Sequence, residues 1–281
     1  MTSESAEPAA AQGGPDGSPR LFGEEGAKLT YGSYLRVPEL LAQQVVVSDP
    51  PAHDELLFIT IHQVYELWFK LLLFELTSAR DAMMAGGSPE AVWTVRHLLE
   101  RARAVEQVLT AQLPVLETMT PQDFLAFRSL LAPASGFQSV QFREIEFLSG
   151  LKDARYVDRL RGLTDEERER LRRRLDEPSL WDGFLALLGA RGFAVGSDDE
   201  VKASLLEMAR GQLRHGDLWD ISELLLDHDE LSAHWRSRHV VMVERQIGTK
   251  SGTGGSTGGP YLRSRLEVRY FPLLWELRSW L

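Results

Sequence analysis

The chain contains no cysteine among its 281 residues. Disulfides, thiolate zinc sites, iron–sulfur clusters, thiolate-ligated haem and a cysteine nucleophile are therefore excluded. A reducing compartment is compatible with this composition, and we expect a cytoplasmic location. The N-terminus also lacks an apolar signal-peptide core, and it carries Glu4 and Glu7.

Positive charge is scarce as well. The chain has 31 Lys and Arg residues against 41 Asp and Glu residues, which gives a formal net charge of -10. A polyanion requires a basic groove, so we predict neither a nucleic-acid partner nor an anionic membrane surface. We find no apolar run of the length that spans a bilayer, so no membrane segment is expected.

Period-two alternation bounded by hairpin turns is missing, and helical spacing dominates from Asp54 onward. The sequence therefore predicts an all-α fold, a single-domain helical bundle over residues 23–281 with small inserted helices at about 150–215. Apolar residues make up 43% of the chain, enough for a sizeable core. Residues 1–22, rich in Ala, Gly, Pro and Ser, are predicted to form a disordered tail.

Local start and stop signals place several helix boundaries. Four residues are predicted to cap helix N-termini, two before a proline and two in capping boxes: Ser88, Thr120, Thr164 and Ser197. A long helix is predicted from about Ser222 to Ile247, ending at Gly248. A last helix is predicted from about Tyr261 to Trp280.

One histidine lies in the mostly aromatic and aliphatic run from Phe58 to Lys70. At about 3.6 residues per turn, Phe58, His62 and Glu66 fall on one helix face. This face either lines a pocket with one proton-exchanging group or packs in the core, with His62 bonded to a backbone carbonyl.

His239 has the strongest pattern of a haem ligand, because Trp235, Met242 and Val243 flank it at helical spacing. Haem iron requires only one strong axial imidazole. A buried structural histidine is the alternative at this position.

A non-haem metal site has weaker support. Glu230 and His234 have helical i, i+4 spacing, but the segment Asp227–Glu230 is predicted to be solvated surface.

Two further segments carry candidate chemistry. The glycine-rich stretch 248–259 lacks the order of a phosphate-binding loop, and it is either a linker or a loop whose Thr253 and Ser256 hydroxyls close over a small anion. Phe124 and Arg128 are also i, i+4 partners. Arg128 either binds a carboxylate beside an aromatic wall or pairs at the surface with a local acid.

Several blocks in this order resemble the tryptophan 2,3-dioxygenases, haem enzymes that open the indole ring of L-tryptophan. The resemblance covers roughly residues 28–281 and rests on these segments: Leu29–Leu35, Phe58–Lys70, Phe124–Arg128, Ser135–Arg143, Arg238–Arg245, Gly252–Ser256 and Phe271–Arg278.

The resemblance implies one haem b per subunit, enclosed by the bundle. His239 would be the axial ligand of its iron, and Ser135 and Gly136 would lie near a propionate or the bound gas. His62 would be the catalytic distal histidine that accepts a hydrogen bond from the indole N–H. Phe58 would pack on the indole ring.

The resemblance also implies how the amino-acid end of L-tryptophan is bound. Arg128 would hold the carboxylate, and Thr253 would bind beside it. Some bacterial members have tyrosine where this chain has Phe124, which removes a hydroxyl worth about 1.5–3 kcal/mol to a charged group. We therefore expect altered affinity and retained activity.

The family's homotetramer, a dimer of dimers, implies that a neighbouring subunit completes each pocket with Tyr31, Tyr34 and Leu35. The implied reaction inserts both atoms of O2 across the indole C2–C3 bond and gives N-formyl-L-kynurenine, the first step of the kynurenine pathway. Three alternatives stay open: a dioxygenase of a substituted tryptophan, a non-catalytic haem or tryptophan sensor, and a helical scaffold without cofactor.

Overall fold

The computed structural model describes residues 29–254 and 258–281. Every regular element in these two ranges is helical and neither range contains a strand, which confirms the all-α prediction. The predicted tail at 1–22 and the hydroxyl of Ser256 lie outside the described residues. Contacts between Cα atoms divide the chain into two compact units, Met1–Val45 and Val46–Leu281.

The described part of the first unit consists of two short helices, α1 (Tyr31–Leu35) and α2 (Val37–Leu41). Thr30 caps α1, because its hydroxyl accepts the Ser33 N–H at 3.2 Å and the Ser33 hydroxyl accepts the Thr30 N–H at 2.9 Å. Large apolar side chains of this unit remain exposed, including Tyr31 at 79% and Tyr34 at 71%.

The second unit contains the remaining helices. They are α3 (Glu55–Met84), α4 (Pro89–Ala111), α5 (Leu113–Leu116), α6 (Pro121–Arg128), α7 (Val140–Leu148), α8 (Arg155–Arg159), α9 (Asp165–Asp176), α10 (Leu180–Ala190), α11 (Asp198–Arg210), α12 (Gln212–Ile247), α13 (Gly259–Arg263) and α14 (Pro272–Leu277).

The core of the second unit lies around α3, which packs against α4, α7 and α10, while α12 packs against α4. Its innermost side chains are fully buried, among them Leu76, Val95, Phe184 and Leu225. One apolar face of α4 is buried, formed by residues at helical spacing: Val92, Val95, Leu99, Ala102, Val105 and Leu109. In the stretch 150–215, α8 and α9 surround a second small cluster, whereas α10 and α11 contribute to the main core.

The predicted N-caps account for where several helices begin. The side chains of Ser88, Thr120, Thr164 and Ser197 each accept a backbone N–H three residues later. The capping box is complete at Thr120 and Thr164. At Ser197 it is not, because the Glu200 carboxylate accepts the N–H of Gly196 instead.

The predicted long helix ends as expected and begins earlier. Gly248 follows α12 with a φ of 61°, in the left-handed half of the map that glycine adopts without a Cβ clash. The start at Ser222 is wrong by ten residues, because helical backbone continues back to Gln212 through a kink at His215. The added turns pack into the core through Leu218 and Ile221, which are fully buried.

A single helix from Tyr261 to Trp280 is wrong: α13 and α14 are separated by an irregular segment. The Asp229 carboxylate of α12 accepts the backbone N–H groups of Tyr270 at 2.8 Å and Phe271 at 3.1 Å. Pro272 then starts α14, since proline fits the first helical position and disfavours helix at the residue before it. A tertiary contact and a proline therefore override the periodicity.

By length and composition, α3 could cross a membrane, so the expectation that no run of this length exists is wrong for this helix. The test is also passed by core helices. Here the helix contributes eleven buried residues, and charged Glu75 and Arg80 are among them. Its apolar composition is explained by contact with four other helices, α4, α5, α7 and α10.

Candidate functional site

A cavity of about 320 Å³ lies in the second unit, between α3, α6, α12 and the loops that follow α6 and α12. It brings together eight residues that the sequence singled out: Phe58, His62, Phe124, Arg128, Ser135, Gly136, His239 and Thr253. Tyr31, Tyr34 and Leu35 belong to the other unit.

His62 is held by its own helix. Its Nδ1 lies 2.7 Å from the Phe58 carbonyl oxygen, and a carbonyl only accepts, so Nδ1 carries a proton. The neutral ring then presents a lone pair on Nε2. Burial lowers the pKa of His62, and this outweighs the opposing effects of the Phe58 carbonyl and Glu66. The imidazole is thus neutral at pH 7, with Nε2 available to accept a hydrogen bond.

Aromatic rings surround His62 on one side. The Phe58 and His62 ring centroids are 4.1 Å apart, and Phe124 stacks on Phe58 with centroids 5.5 Å apart and planes at 24°. Fully buried Phe127 contacts both phenylalanine rings edge-on at 5.6 Å. The helices α3 and α6 therefore build a flat, apolar wall beside one hydrogen-bond acceptor.

His239 faces the same cavity from α12. Its ring stacks on Trp235 one turn earlier, with centroids 4.9 Å apart and planes at 7°. Burial lowers the pKa of His239 to about 4, with a further contribution from His62. No hydrogen bond to either ring nitrogen occurs among the described residues. A neutral imidazole whose ring nitrogens are not engaged in such bonds fits the requirements of an axial ligand.

Polar groups close another side of the cavity. An Arg128 guanidinium nitrogen donates to the carbonyl of Ser251, and the Thr253 hydroxyl donates to the Ala134 carbonyl at 2.6 Å. The local acids that could have paired with Arg128 are engaged elsewhere: Asp123 caps α6, and Glu144 binds Arg170. The guanidinium is therefore directed at the loop rather than at a neighbouring carboxylate.

Two glycines allow this loop to pack closely against the residues around it. A Cβ on Gly254 would lie 2.6 Å from the Cβ of Ser135. Gly258 has a φ of +67°, and a Cβ there would lie 2.8 Å from the Lys250 carbonyl oxygen. Both positions thus require glycine for steric reasons, which composition alone could not reveal.

Glu66 connects α3 to the segment that carries Ser135 and Gly136. Its carboxylate accepts the Ser139 hydroxyl at 2.6 Å and the Gln141 amide at 2.8 Å. Ser135 caps a short 3₁₀ turn, Gly136–Gln138. The sequence placed Glu66 on the His62 face, but its partners lie more than seventy residues later.

The far end of the cavity carries a charged cluster that the sequence did not indicate. The Arg143 guanidinium lies 3.7 Å from the Tyr156 ring centroid and pairs with Glu146, which also pairs with Arg265 at 3.3 Å. Burial and the hydrogen bond between the Tyr261 and Tyr156 hydroxyls raise the pKa of Tyr261 to about 12. Arg143 and Glu146 have the spacing of an ordinary surface pair, so no local signal marks them as buried.

The residues present fit haem. His239 presents a neutral imidazole to the cavity, and hydroxyl and guanidinium groups lie at the rim. The remaining walls of the cavity are largely apolar: Leu113, Leu116, Met119, Phe142, Met242 and Val243. Within the described ranges, no group of three or more His, Cys, Asp or Glu side chains could hold a bare metal ion.

The predicted exposure of Asp227–Glu230 is wrong at its centre. His228 is 1% exposed and Asp229 is fully buried. Glu230 and His234 lie at the surface as a loose pair 3.7 Å apart, and the Asp227 side chain is 38% exposed. Polar residue types suggested solvent, whereas His228 and Asp229 bind buried partners from other parts of the fold.

Comparison with known proteins adds independent evidence. A sequence profile of the tryptophan 2,3-dioxygenases matches residues 17–192 and 186–281. A tryptophan 2,3-dioxygenase of Nocardioides sp. is 64% identical over 258 residues, which cover 92% of this chain and 97% of the relative. The enzyme of Herpetosiphon aurantiacus is 46% identical over 89% of this chain and 98% of the relative. The enzyme of Burkholderia multivorans is 41% identical over 89% of this chain and 83% of the relative. The chain therefore belongs to the tryptophan 2,3-dioxygenase family.

Proposed function

We propose that this protein is a haem-dependent dioxygenase that converts L-tryptophan and O2 into N-formyl-L-kynurenine, the first step of tryptophan catabolism. The observation that carries the proposal is the shared cavity of His62 and His239, with Arg128 and Thr253 at its polar side. Its family members bear the same activity in their names.

His239 would hold haem b through a neutral ring nitrogen. Its low pKa supports this role, because protons do not compete for the ligating nitrogen at neutral pH. Ser135 and Gly136 would lie at the haem edge. When bound, ferrous haem supplies the dioxygen chemistry that leaves both oxygen atoms on C2 and C3 of the indole.

His62 and the phenylalanines would orient the indole ring. Nε2 of His62 would accept the indole N–H, because Nδ1 is committed to the Phe58 carbonyl. Phe58 and Phe124 would pack on the ring and exclude water. Burial lowers the pKa of His62 and so makes it a weak base, and orientation of the ring is the role we assign to it.

Arg128 would bind the substrate carboxylate, and Thr253 would bind the amino-acid end. Both side chains lie on the same side of the cavity, beside the loop that follows α12. Phe124 contributes a ring and no hydroxyl at this end. A charged guanidinium then supplies most of the carboxylate's binding energy.

We further propose a cytoplasmic homotetramer in which Tyr31, Tyr34 and Leu35 complete a neighbouring pocket. The high exposure of these side chains supports this assignment, since a large apolar surface of this kind marks an interface. The mass of the protein in solution, measured by light scattering, tests the assembly.

The activity is tested by adding L-tryptophan in air to the reduced protein after purification with haem. We expect a Soret band and the absorbance of N-formylkynurenine. A Soret band without product would favour the sensor or a substituted substrate, and absence of the band would contradict the haem assignment. The variant His239→Ala should fail to retain haem, whereas His97→Ala, on the surface of α4, should retain it.

A further inference from the structure

A second histidine on α12, His228, lies in a buried polar network outside the cavity described above. His228 is 1% exposed, Glu106 of α4 is 4% exposed, and Ser149 at the end of α7 is fully buried. The His228 Nδ1 lies 2.7 Å from a Glu106 carboxyl oxygen, and its Nε2 lies 2.8 Å from the Ser149 hydroxyl. The network thus joins three helices.

Hydrogen-bond directions assign the protons. The Ser149 hydroxyl has a single hydrogen, which it donates to the Ile145 carbonyl at 2.7 Å. It must therefore accept from His228 at Nε2, so this nitrogen carries a proton. The contact between Nδ1 and Glu106 then holds one further proton, whichever of the two atoms carries it. In both cases the pair of side chains has no net charge, which suits a site without solvent.

The next residue extends the attachment. One carboxyl oxygen of Asp229 accepts the Tyr270 and Phe271 N–H groups and the Trp275 indole N–H at 2.9 Å. The Tyr270 ring lies against His228 with centroids 5.1 Å apart. Two consecutive residues of α12 are therefore bonded to α4, α7 and the segment that leads into α14.

The second oxygen of Glu106 borders a small cavity of about 30 Å³. Among the described residues, this oxygen and the Nε of Arg236, whose side chain also borders the cavity, have no hydrogen-bond partner. One buried water needs roughly 10–15 Å³ and two or more polar partners. A buried water bound between Glu106, Ser232 and Arg236 would satisfy both orphaned atoms.

We infer that Glu106 and His228 are a positioning pair that fixes the rotation of α12 and thereby aims His239 into the haem cavity. His239 follows His228 by eleven residues, about three helical turns, so both lie on nearly the same helix face. The only non-helical backbone inside α12 is at His215, so the helix is continuous between them. A turn of α12 about its axis would separate the buried partners. This role rests on the proposed function of His239.

The test compares haem-loaded variants with the parent by resonance Raman spectroscopy of the iron–histidine stretch and by the rate of haem transfer to apomyoglobin. Glu106→Leu and His228→Phe should shift or broaden the stretch and speed haem loss about tenfold. This is the low end of the range for groups that bond directly to a metal ligand, because this pair acts on His239 only through the helix. Glu106→Gln keeps a donor for Nδ1 and should retain the parental stretch.

The chain offers a matched control in its surface pair, Glu230 and His234, which are 51% and 63% exposed. Glu230→Leu and His234→Phe should leave both readouts unchanged. If His228→Phe does not fold, the contrast between Glu106→Leu and Glu106→Gln decides the question. Folded variants that melt earlier but keep the parental stretch and haem-loss rate would overturn the positioning role alone. A parent that binds no haem would overturn the proposed function as well.

Discussion

At the scale of the residue, the tautomer of His62 determines which kind of group its second ring nitrogen can bind. Its Nδ1 proton is held by a helix carbonyl that accepts and never donates, so the outward nitrogen acts as an acceptor at neutral pH. The apolar run left His62 open to a structural or a functional interpretation, and the family resemblance favoured the functional one. The tautomer was not predictable, because it depends on the side-chain rotamer that brings Nδ1 of His62 to the Phe58 carbonyl.

The variant His62→Ala should lower kcat/KM for L-tryptophan about tenfold, the value of one hydrogen bond of about 1.4 kcal/mol. Haem content, measured by the Soret band, should not change. With 1-methyltryptophan, which has no indole N–H, the parent and the variant should differ little. An equal loss with both substrates would contradict the acceptor role.

The variant Phe124→Tyr should lower KM for L-tryptophan, because it adds a hydroxyl near the site proposed for the carboxylate. A hydrogen bond to a charged group contributes about 1.5–3 kcal/mol, so a decrease of about tenfold is expected. Tryptamine, which lacks the carboxylate, provides the control in an inhibition assay. If the affinity for tryptamine improves as much as that for L-tryptophan, the added hydroxyl does not act on the carboxylate.

At the scale of the element, the sequence predicted helix boundaries set by local capping residues better than boundaries set by tertiary contacts. N-caps such as Thr120 and Thr164 are set by residues three positions apart, so a short window contains the information. The break before α14 depends on Asp229, forty-one residues earlier. The burial of His228 depends on Glu106, which is even more distant. Sequence periodicity cannot report such partners.

The start of α3 offers a prediction about pH. The buried Glu55 carboxylate accepts the N–H groups of Val47 at 2.7 Å and Ser48 at 3.0 Å, together with the Ser48 hydroxyl. Burial alone would raise its pKa, but these hydrogen bonds outweigh burial and bring it below the ordinary value of 4.5. The carboxylate therefore stabilises the fold above that value, and its contribution is lost as pH falls through the lowered pKa.

Replacing Glu55 with glutamine should lower the free energy of unfolding by about 1–2 kcal/mol at pH 7. The difference from the parent should shrink as pH falls below 4.5, where the parent carboxylate becomes protonated. Urea titrations at several pH values measure it. Glu39→Gln, at the exposed end of an ion pair in α2, serves as the control and should show little difference at any pH.

At the scale of the whole molecule, the chain brings His62 and His239 to one cavity although 177 positions separate them. Ordered blocks along the sequence predicted this meeting through their resemblance to a family. The sequence predicted no role in the cavity for buried Arg143 and Glu146 or for half-buried Arg265, because such residues look like surface charges until the fold encloses them. Sequence thus predicted which residues face the cavity better than which charges support its walls.

The proposed assembly gives a prediction that needs more than one chain. Tyr31→Ala should raise KM for L-tryptophan while the mass in solution stays that of the tetramer, because only a side chain of the neighbouring pocket is removed. Leu41→Ala, a change of similar type at a position that is 69% exposed in α2, should have a smaller effect on KM. An unchanged KM in the Tyr31 variant would show that this segment does not contribute to the pocket.

The bonds from Arg128 to Ser251 and from Thr253 to Ala134 mean that the chain's own carbonyls act as surrogate ligands. An incoming molecule must displace them, and a neutral acceptor offers the guanidinium no gain over a peptide carbonyl. A carboxylate does, because it adds the attraction of opposite charges and can bind the planar guanidinium through two parallel hydrogen bonds. Under the proposed function, an amino acid would therefore displace the Ser251 carbonyl from Arg128, whereas the corresponding amine would not.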